Sequence, residues 1–416
     1  MHRIRMSLPY FKKFGWEPEV VSIDPVHSEM VKDLLLSKSI PHHVKLHTVQ
    51  AFSKKWTFKL KLGSLALRSL WFYRRKVNSI LKTNSFDLIY FSTTQFPVTI
   101  LGNYWKQKFG IPYVIDMQDP WHSDFYLDKP KNEQPAKFWF SYRLNKYLEP
   151  LAIKTVNGLI SVSMAYITTL KHRYPEISNI PASEITFGAS KDDFEIVKKN
   201  DTFLKPAFKR QRNITHIVYV GRGGNDMKKA VCLLFEAFKR GLMINPYNFN
   251  KLRFHFLGTS YAPSGKGKPT FNPIAKEYGL QNFVEEQTDR IPFYQGLQTL
   301  LHADVLFVPG SEDPQYTASK IYPYIMAKRP LLAIFNPLSN VSKILQECNA
   351  GKVVSLLDSE QAVNDIYSFL LNFINNPFKK NETNWENFKK YSAENMTKRQ
   401  CELFDKVVNS QQKPTK

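Results

Sequence analysis

Short apolar runs alternate with longer stretches of helical period along most of this 416-residue chain. Candidate strands in the first half are Glu19–Ile23, Leu88–Ser92, Tyr113–Met117, Leu159–Ser163 and Ile185–Phe187. A second set comprises His216–Val220, Arg253–Leu257, Asn282–Glu286, Val305–Val308, Leu331–Ile334 and Lys352–Ser355. The core runs are rich in Val, Ile, Leu and Tyr and do not alternate cleanly with polar residues, which suits parallel strands covered on both faces. Strand followed by helix, repeated, predicts α/β architecture with doubly wound parallel sheets. The charged segment 191–213 has no clear period and predicts a linker between two similar Rossmann-like domains, 1–190 and 214–384. The stretch Trp385 to Val408 predicts one or two amphipathic helices. The helical region 385–410 is expected to pack back on the first domain, with a frayed tail behind it.

The densest chemistry lies in Ile217 to Phe238, IVYVGRGGNDMKKAVCLLFEAF. A β-branched run ends at Gly221, Arg222 follows, and a glycine turn leads to Lys228 and Lys229 at the start of an amphipathic helix. Backbone N–H groups at a helix start, together with the helix dipole, favour an anion. Arg222 and the lysine pair add formal positive charge, so the expected guest is a phosphate or diphosphate. The plain alternative is an ordinary strand-to-helix turn with solvated basic residues. Two more loaded loops follow predicted strand ends: Gln118–His122 after Tyr113–Met117, and Pro309–Gln315 after Val305–Val308. In doubly wound sheets ligands gather at that end of the strands.

A formal net charge of +22 points to an anionic partner. Cys232, Cys348 and Cys401 show no metal or redox spacing, in keeping with a reducing, cytoplasmic setting. No signal peptide is visible and no apolar run approaches the length of a membrane span. Between Phe52 and Lys82 the chain is basic and aromatic without one acidic residue. That is the composition of a helix lying on an anionic bilayer, and it predicts peripheral attachment to the inner face of the cell membrane. The alternative is a surface helix whose charge is merely solvated. Nucleic acid is not expected as a partner, because no reader motif accompanies the charge.

The order and spacing of several segments resemble a GT-B type glycosyltransferase of the family 4 group, retaining enzymes that use nucleotide sugars. VGRGGNDMKKA resembles the family's glycine–arginine loop and the lysine after it. HADVLFVPGSEDPQYTASKIYPYIMAKRPLLAIF resembles the segment that holds the nucleotide ribose, and ITFGASKDDF resembles the glycine loop closing the first domain. FDLIYFSTTQFPVTILGNYWKQKFGIPYVIDMQDPW and VNGLISVSMAYITTLKHRYP match the acceptor domain. The resemblance implies a donor-diphosphate site at Gly221, Arg222, Lys228, Lys229 and Lys320. It places the nucleotide and sugar near Glu312, Gln315, Ser319 and Gly188. The nucleotide-diphosphate sugar enters as co-substrate, with no further cofactor and no metal. The acceptor would be a glycan or glycolipid.

Two departures stand out. The family's donor site carries two glutamates eight positions apart, which would fall near Gln315 and at Pro323, and neither is acidic. Glu312 or a backbone carbonyl is a substitute for binding the ribose, and Lys320 is placed to meet phosphate. The family also begins with a strand and a glycine loop. Here Met1 opens into HRIRMSLPYFKKFGWEPEVVSID, which reads as the first helix and second strand, so the first strand of the N-terminal domain is expected to be missing. The expectation is that the recorded start lies downstream of the true one, or that the gene is truncated. On the acceptor side, Gln118 aligns with a position near the reacting sugar, and Gln118 and Asp119 are the catalytic candidates. Asp116 and Asp119 divide two roles, one orienting the loop and one binding an acceptor hydroxyl. Trp121 has the size to stack on a sugar or to sit in the core. His122 and Asp124 alone make too few ligands for a metal. Gly265-Lys266-Gly267-Lys268 misses the Walker spacing and reads as a basic loop. A second reading of the whole is a binding protein that kept the fold and lost turnover.

Overall fold

The computed structural model of the chain describes residues 2–28, 33–59, 63–124, 127, 130–131, 134, 138–312, 319–377 and 382–412. The chain divides into two compact units. The first comprises residues 1–30, 40–188 and 393–416; the second comprises 31–39 and 189–392.

In the first unit the strands β1 (Glu19–Ile23) and β2 (Lys45–Val49) form a parallel pair. A separate parallel sheet has the order β3-β4-β5-β6, with β3 Ile89–Ser92, β4 Tyr113–Met117, β5 Gly158–Ser161 and β6 Ala182–Glu184. Among the described residues no strand joins the pair to the four-stranded sheet. Every residue of β4 and β5 is buried, as their unbroken apolar character requires. Helix Ala393–Gln412 lies in this unit, and its Met396, Leu403, Phe404 and Val407 share a core with Met6, Phe11, Val114 and Ile160. Gly158 permits that packing: a Cβ there would stand 2.7 Å from Val407 Cγ2.

The second unit holds one six-stranded parallel sheet of order β12-β11-β10-β7-β8-β9. Its strands are β7 (Thr215–Val220), β8 (Leu252–Leu257), β9 (Val284–Gln287), β10 (Val305–Pro309), β11 (Leu331–Phe335) and β12 (Lys352–Ser355). Helix Lys228–Ile244 lays its buried face, including Ala230, Leu234, Phe235 and Phe238, against an aromatic core of Phe254, Phe249 and Phe283. The spacing of those residues is the helical one.

Two expectations shift, and one strand was not expected. The strand expected at Ile185–Phe187 lies earlier, at β6. The segment 191–213, expected as a linker, contains helix Lys191–Lys199, capped by Ser190 and tied into the second unit by Tyr294 Oη on Asp193 Oδ1 at 2.8 Å. β2 escaped the sequence pattern because most of its residues are exposed. The short excursion 31–39 also belongs to the second unit although first-unit strands flank it. Asp33 accepts from the Tyr294 N–H at 2.9 Å, within the first turn of helix Phe293–His302, and from the Leu35 N–H at 2.9 Å. The carboxylate thus satisfies a donor that the helix cannot satisfy itself.

Two local features have measurable consequences. Lys328 ends helix Ile321–Met326 in the left-handed region at φ 57, where a side chain is strained and glycine is not. Lys328→Gly is expected to stabilise the second unit by about 1 kcal/mol, read as a raised denaturation midpoint. The second feature is a buried histidine pair. The Gln211 N–H donates to His216 Nε2 at 3.0 Å, which fixes the proton of His216 on Nδ1. That nitrogen lies 2.9 Å from His255 Nε2, and His255 Nδ1 lies 3.0 Å from Glu285 Oε2. The ring hydrogen bonds are satisfied with both histidines neutral. Burial lowers the pKa of both, and brings His255 to about 4. A histidine depressed in the folded state stabilises the fold fully above its unfolded value of about 6.5 and loses that contribution as pH falls from there toward 4. The loss amounts to roughly 3 kcal/mol. Urea titrations from pH 7 to 4 are expected to show it, and His255→Gln is expected to flatten the curve.

Candidate active site

The strand order of the second sheet reverses between β7 and β10, which run parallel, and there the strands part. They pair only at Val305–Ile217 and Leu306–Val218. Beyond that point Val220 has no β10 partner. The Tyr324 hydroxyl takes up the slack: it accepts from the Val220 N–H at 2.6 Å and donates to the Val220 carbonyl at 3.1 Å. A reversal of this kind opens a crevice at the carboxyl ends of the strands.

The glycine loop runs along this crevice. Gly221 N–H donates to the Leu257 carbonyl at 3.0 Å, and Gly223 N–H to the Thr259 carbonyl at 2.7 Å, so the loop stays tied to the β8 side. Gly221 is glycine for a reason of space. A Cβ there would stand 2.5 Å from Lys320 Nζ and 2.7 Å from Tyr219 Oη. Lys320 Nζ donates to Tyr219 Oη at 2.5 Å and lies 4.7 Å from the centre of the Tyr219 ring, while Tyr219 Oη donates to the Arg222 carbonyl at 2.7 Å. Lys320 has no carboxylate partner among the described residues. Its charged neighbours are Arg222, Arg290 and Asp226. Asp226 is committed to Arg222 through two bonds, 2.9 and 2.8 Å. Loss of water, then the two arginines, bring the Lys320 pKa down to about 7.

The expected diphosphate residues are therefore only partly gathered. Gly221, Arg222 and Lys320 come together. Lys228 does not join them: its ammonium lies 3.7 Å from Glu277. Lys229 stands 3.3 Å from Glu312, which gives Glu312 a cation partner. Ser319 is exposed, Gly188 is buried at the end of the first unit, and Gln315 lies outside the described residues. Pro323 sits in helix Ile321–Met326 and brings no carboxylate. Sequence reasoning missed Arg290, whose Nη1 donates to the Gly258 carbonyl at 2.9 Å and whose guanidinium lies 4.4 Å from the Tyr261 ring. It follows β9, so the strand-end argument applied to that strand would have found it. The Gly265–Lys268 segment is a loop held by Asp289, which accepts from Ser264 Oγ at 2.5 Å and the Gly265 N–H at 2.9 Å.

In the first unit the loop after β4 departs from expectation in two places. Asp116 is fully buried and ion-paired with Arg3, Nε to Oδ2 at 2.8 Å. Arg3 spends its other nitrogens on the carbonyls of Ile185 (2.7 Å) and Thr186 (3.1 Å). A buried carboxylate needs such a partner, and the pairing removes Asp116 as a direct ligand for an acceptor. Trp121 is likewise a core residue, its ring stacked 5.5 Å from Phe96 and its Nε1 bonded to Asn145. Gln118 is fixed by its amide nitrogen, 2.6 Å from Asp116 Oδ2 and 3.1 Å from Ser92 Oγ. Its carbonyl oxygen has no partner among the described residues. Asp119 is exposed. Behind the loop, buried Glu149 accepts from the His122 N–H (3.0 Å), Arg173 (2.6 Å) and Tyr174 (2.9 Å).

Tyr324→Phe tests the geometry of the crevice. It leaves the Val220 N–H and carbonyl without their partner, a cost of about 1–3 kcal/mol, to be read as a fall in denaturation midpoint.

No known family matches the sequence, and no curated protein does. Solved structures do. A sucrose-phosphate synthase from Thermosynechococcus elongatus aligns at TM-score 0.59 and 13% identity, over 98% of this chain and 93% of that one. Anabaena HepE, solved with UDP and glucose, aligns at TM-score 0.55 and 13% identity, over 97% and 94%. WaaG, a glycosyltransferase involved in lipopolysaccharide biosynthesis, aligns at TM-score 0.51 and 14% identity, over 98% and 94%. The chain thus has the fold of the GT-B glycosyltransferases, with parallel α/β sheets in both of its units.

Proposed function

We propose that the chain is a glycosyltransferase that moves a sugar from a nucleotide-diphosphate sugar to a lipid-linked or polysaccharide acceptor in cell-envelope glycan synthesis, with retention of anomeric configuration. The observation that carries this reading is the cation cluster of Arg222, Lys320 and Arg290 at the sheet's reversal, where Lys320 lacks a carboxylate partner among the described residues. As the anomeric C–O bond breaks, negative charge grows on the departing diphosphate. Cations already fixed in place stabilise that charge without reorganisation. Gln118 offers an unpartnered amide oxygen to a hydroxyl, and Asp119 offers an exposed carboxylate beside it. The neighbours add support: HepE was solved with UDP-glucose, and WaaG works in lipopolysaccharide biosynthesis.

Membrane attachment on the cytoplasmic face belongs to the same proposal. In helix Leu65–Thr83, Trp71 is half-exposed, lies near half-exposed Phe52, and carries the Arg75 guanidinium 5.4 Å from its ring. Arg68, counted in the basic stretch, is buried and bonded to the Phe52 carbonyl, so it is not available to lipid. No described helix is long and apolar enough to cross a membrane. The competing reading, a binding protein without turnover, is favoured by the proline at position 323 where the resemblance calls for a carboxylate.

Release of nucleoside diphosphate from a panel of sugar nucleotides, with and without lipid-linked acceptors, separates the readings. Turnover is expected in wild type. Arg222→Ala is expected to lower kcat/KM by about 100-fold, the scale of losing one preorganised charge contact. Tight binding of a sugar nucleotide without turnover would support the binding protein instead. Co-sedimentation with phosphatidylserine vesicles is expected for wild type, and a marked reduction for Trp71→Ala with Arg75→Ala.

A further inference from the structure

The position of Lys320 is unusual for a cation. Its nitrogen lies against Gly221, hydrogen-bonded to a neutral phenol and facing that phenol's ring. The groups that face it are of one sign or already engaged. Arg222 stands on the loop after β7 and Arg290 on the loop after β9. Asp226, the acid among its charged neighbours, has both carboxylate oxygens on Arg222. At the start of helix Lys228–Ile244 both lysines face acids, Lys228 at Glu277 and Lys229 at Glu312. Tyr219 Oη donates its hydrogen to the Arg222 carbonyl and so receives one from Lys320 whatever the charge on that nitrogen. The hydrogen-bond geometry therefore accommodates a neutral amine as well as an ammonium, while burial and then the two arginines bring the balance between them down to about pH 7.

We propose that the diphosphate enters this site together with a proton, taken from solvent onto the Lys320 amine. This rests on the donor-site reading given above and adds to it. Without the anion the site holds two guanidinium groups, one of them paired with Asp226, and a lysine that is mostly amine above pH 7. The occupied crevice holds three cations against the diphosphate oxygens, because the anion's charge reverses the penalty on the ammonium. The bound nitrogen keeps its proton at pH values where the free site sheds it, which accords with the position of its free titration near 7. In chemical terms the step is the uptake of one H⁺ by a lone pair, with no bond to the diphosphate formed or broken. Binding is then strongest below about pH 7 and weakens as pH rises through that value, by up to tenfold per pH unit for one linked proton.

The test is titration calorimetry of the full chain at pH 8 in two buffers of different ionisation enthalpy. The probes are inorganic pyrophosphate, UDP, GDP and ADP. For whichever probe binds, the expected result is uptake approaching one proton per site. Lys320→Arg keeps a permanent charge and is expected to bind the same probe with uptake close to zero. Lys320→Met is expected to bind more weakly, also without uptake. Binding by wild type with no proton exchange would overturn the proton coupling while leaving the donor site standing, and so would unchanged uptake in Lys320→Arg. Failure of all four probes to bind wild type between pH 6 and 8 would overturn the donor-site reading itself and this inference with it.

Discussion

The parting of β7 and β10 governs the second unit. Parallel strands that stop pairing leave backbone groups in need of partners, and buried groups left unpaired are costly. One hydroxyl, on Tyr324, answers both groups of Val220. The bond does more than close the account for one residue. It ties helix Ile321–Met326 to the end of β7, and the residue just before that helix is Lys320. The nitrogen of Lys320 is thereby delivered beneath Gly221, where only the absence of a side chain leaves room for it. Strand geometry, a tyrosine, a lysine and a glycine form one dependency, and the cation cluster is its outcome.

That dependency explains what the sequence disclosed and what it withheld. The glycine–arginine turn was legible because strand, glycine and helix follow one another along the chain, and local order fixes local shape. The selection of Lys320 over Lys228 was not legible. Lys228 is adjacent in sequence to the turn, yet the first helical residue points where the helix directs it, to Glu277. Arg290 was hidden for the complementary reason: it reaches the crevice from a strand two places away in the sheet. The buried strands were readable from their unbroken apolar runs, whereas β2, largely exposed, left no such run to read.

The first unit shows the same limit. Asp116 and Gln118 were recognisable as polar residues at the end of a buried strand. Their partner was not, because Arg3 lies more than a hundred residues earlier and nothing in its neighbourhood marks it as buried. Once the pair is seen, the loop makes sense. Arg3 neutralises Asp116, Asp116 and Ser92 hold the amide nitrogen of Gln118, and the amide oxygen is left pointing elsewhere. Trp121 followed the commoner fate of a tryptophan beside a buried strand and became core.

The excursion of residues 31–39 carries a consequence for any attempt to dissect the protein. The polypeptide passes between its two units four times, at 30/31, 39/40, 188/189 and 392/393. Neither half is a contiguous module. A fragment beginning at Ala189 would lose the carboxylate of Asp33 that finishes helix Phe293–His302, and a fragment ending at Gly188 would lose the helix Ala393–Gln412 that seals its own hydrophobic interior. Severing the backbone at any single crossover would leave both bodies still tethered by the others.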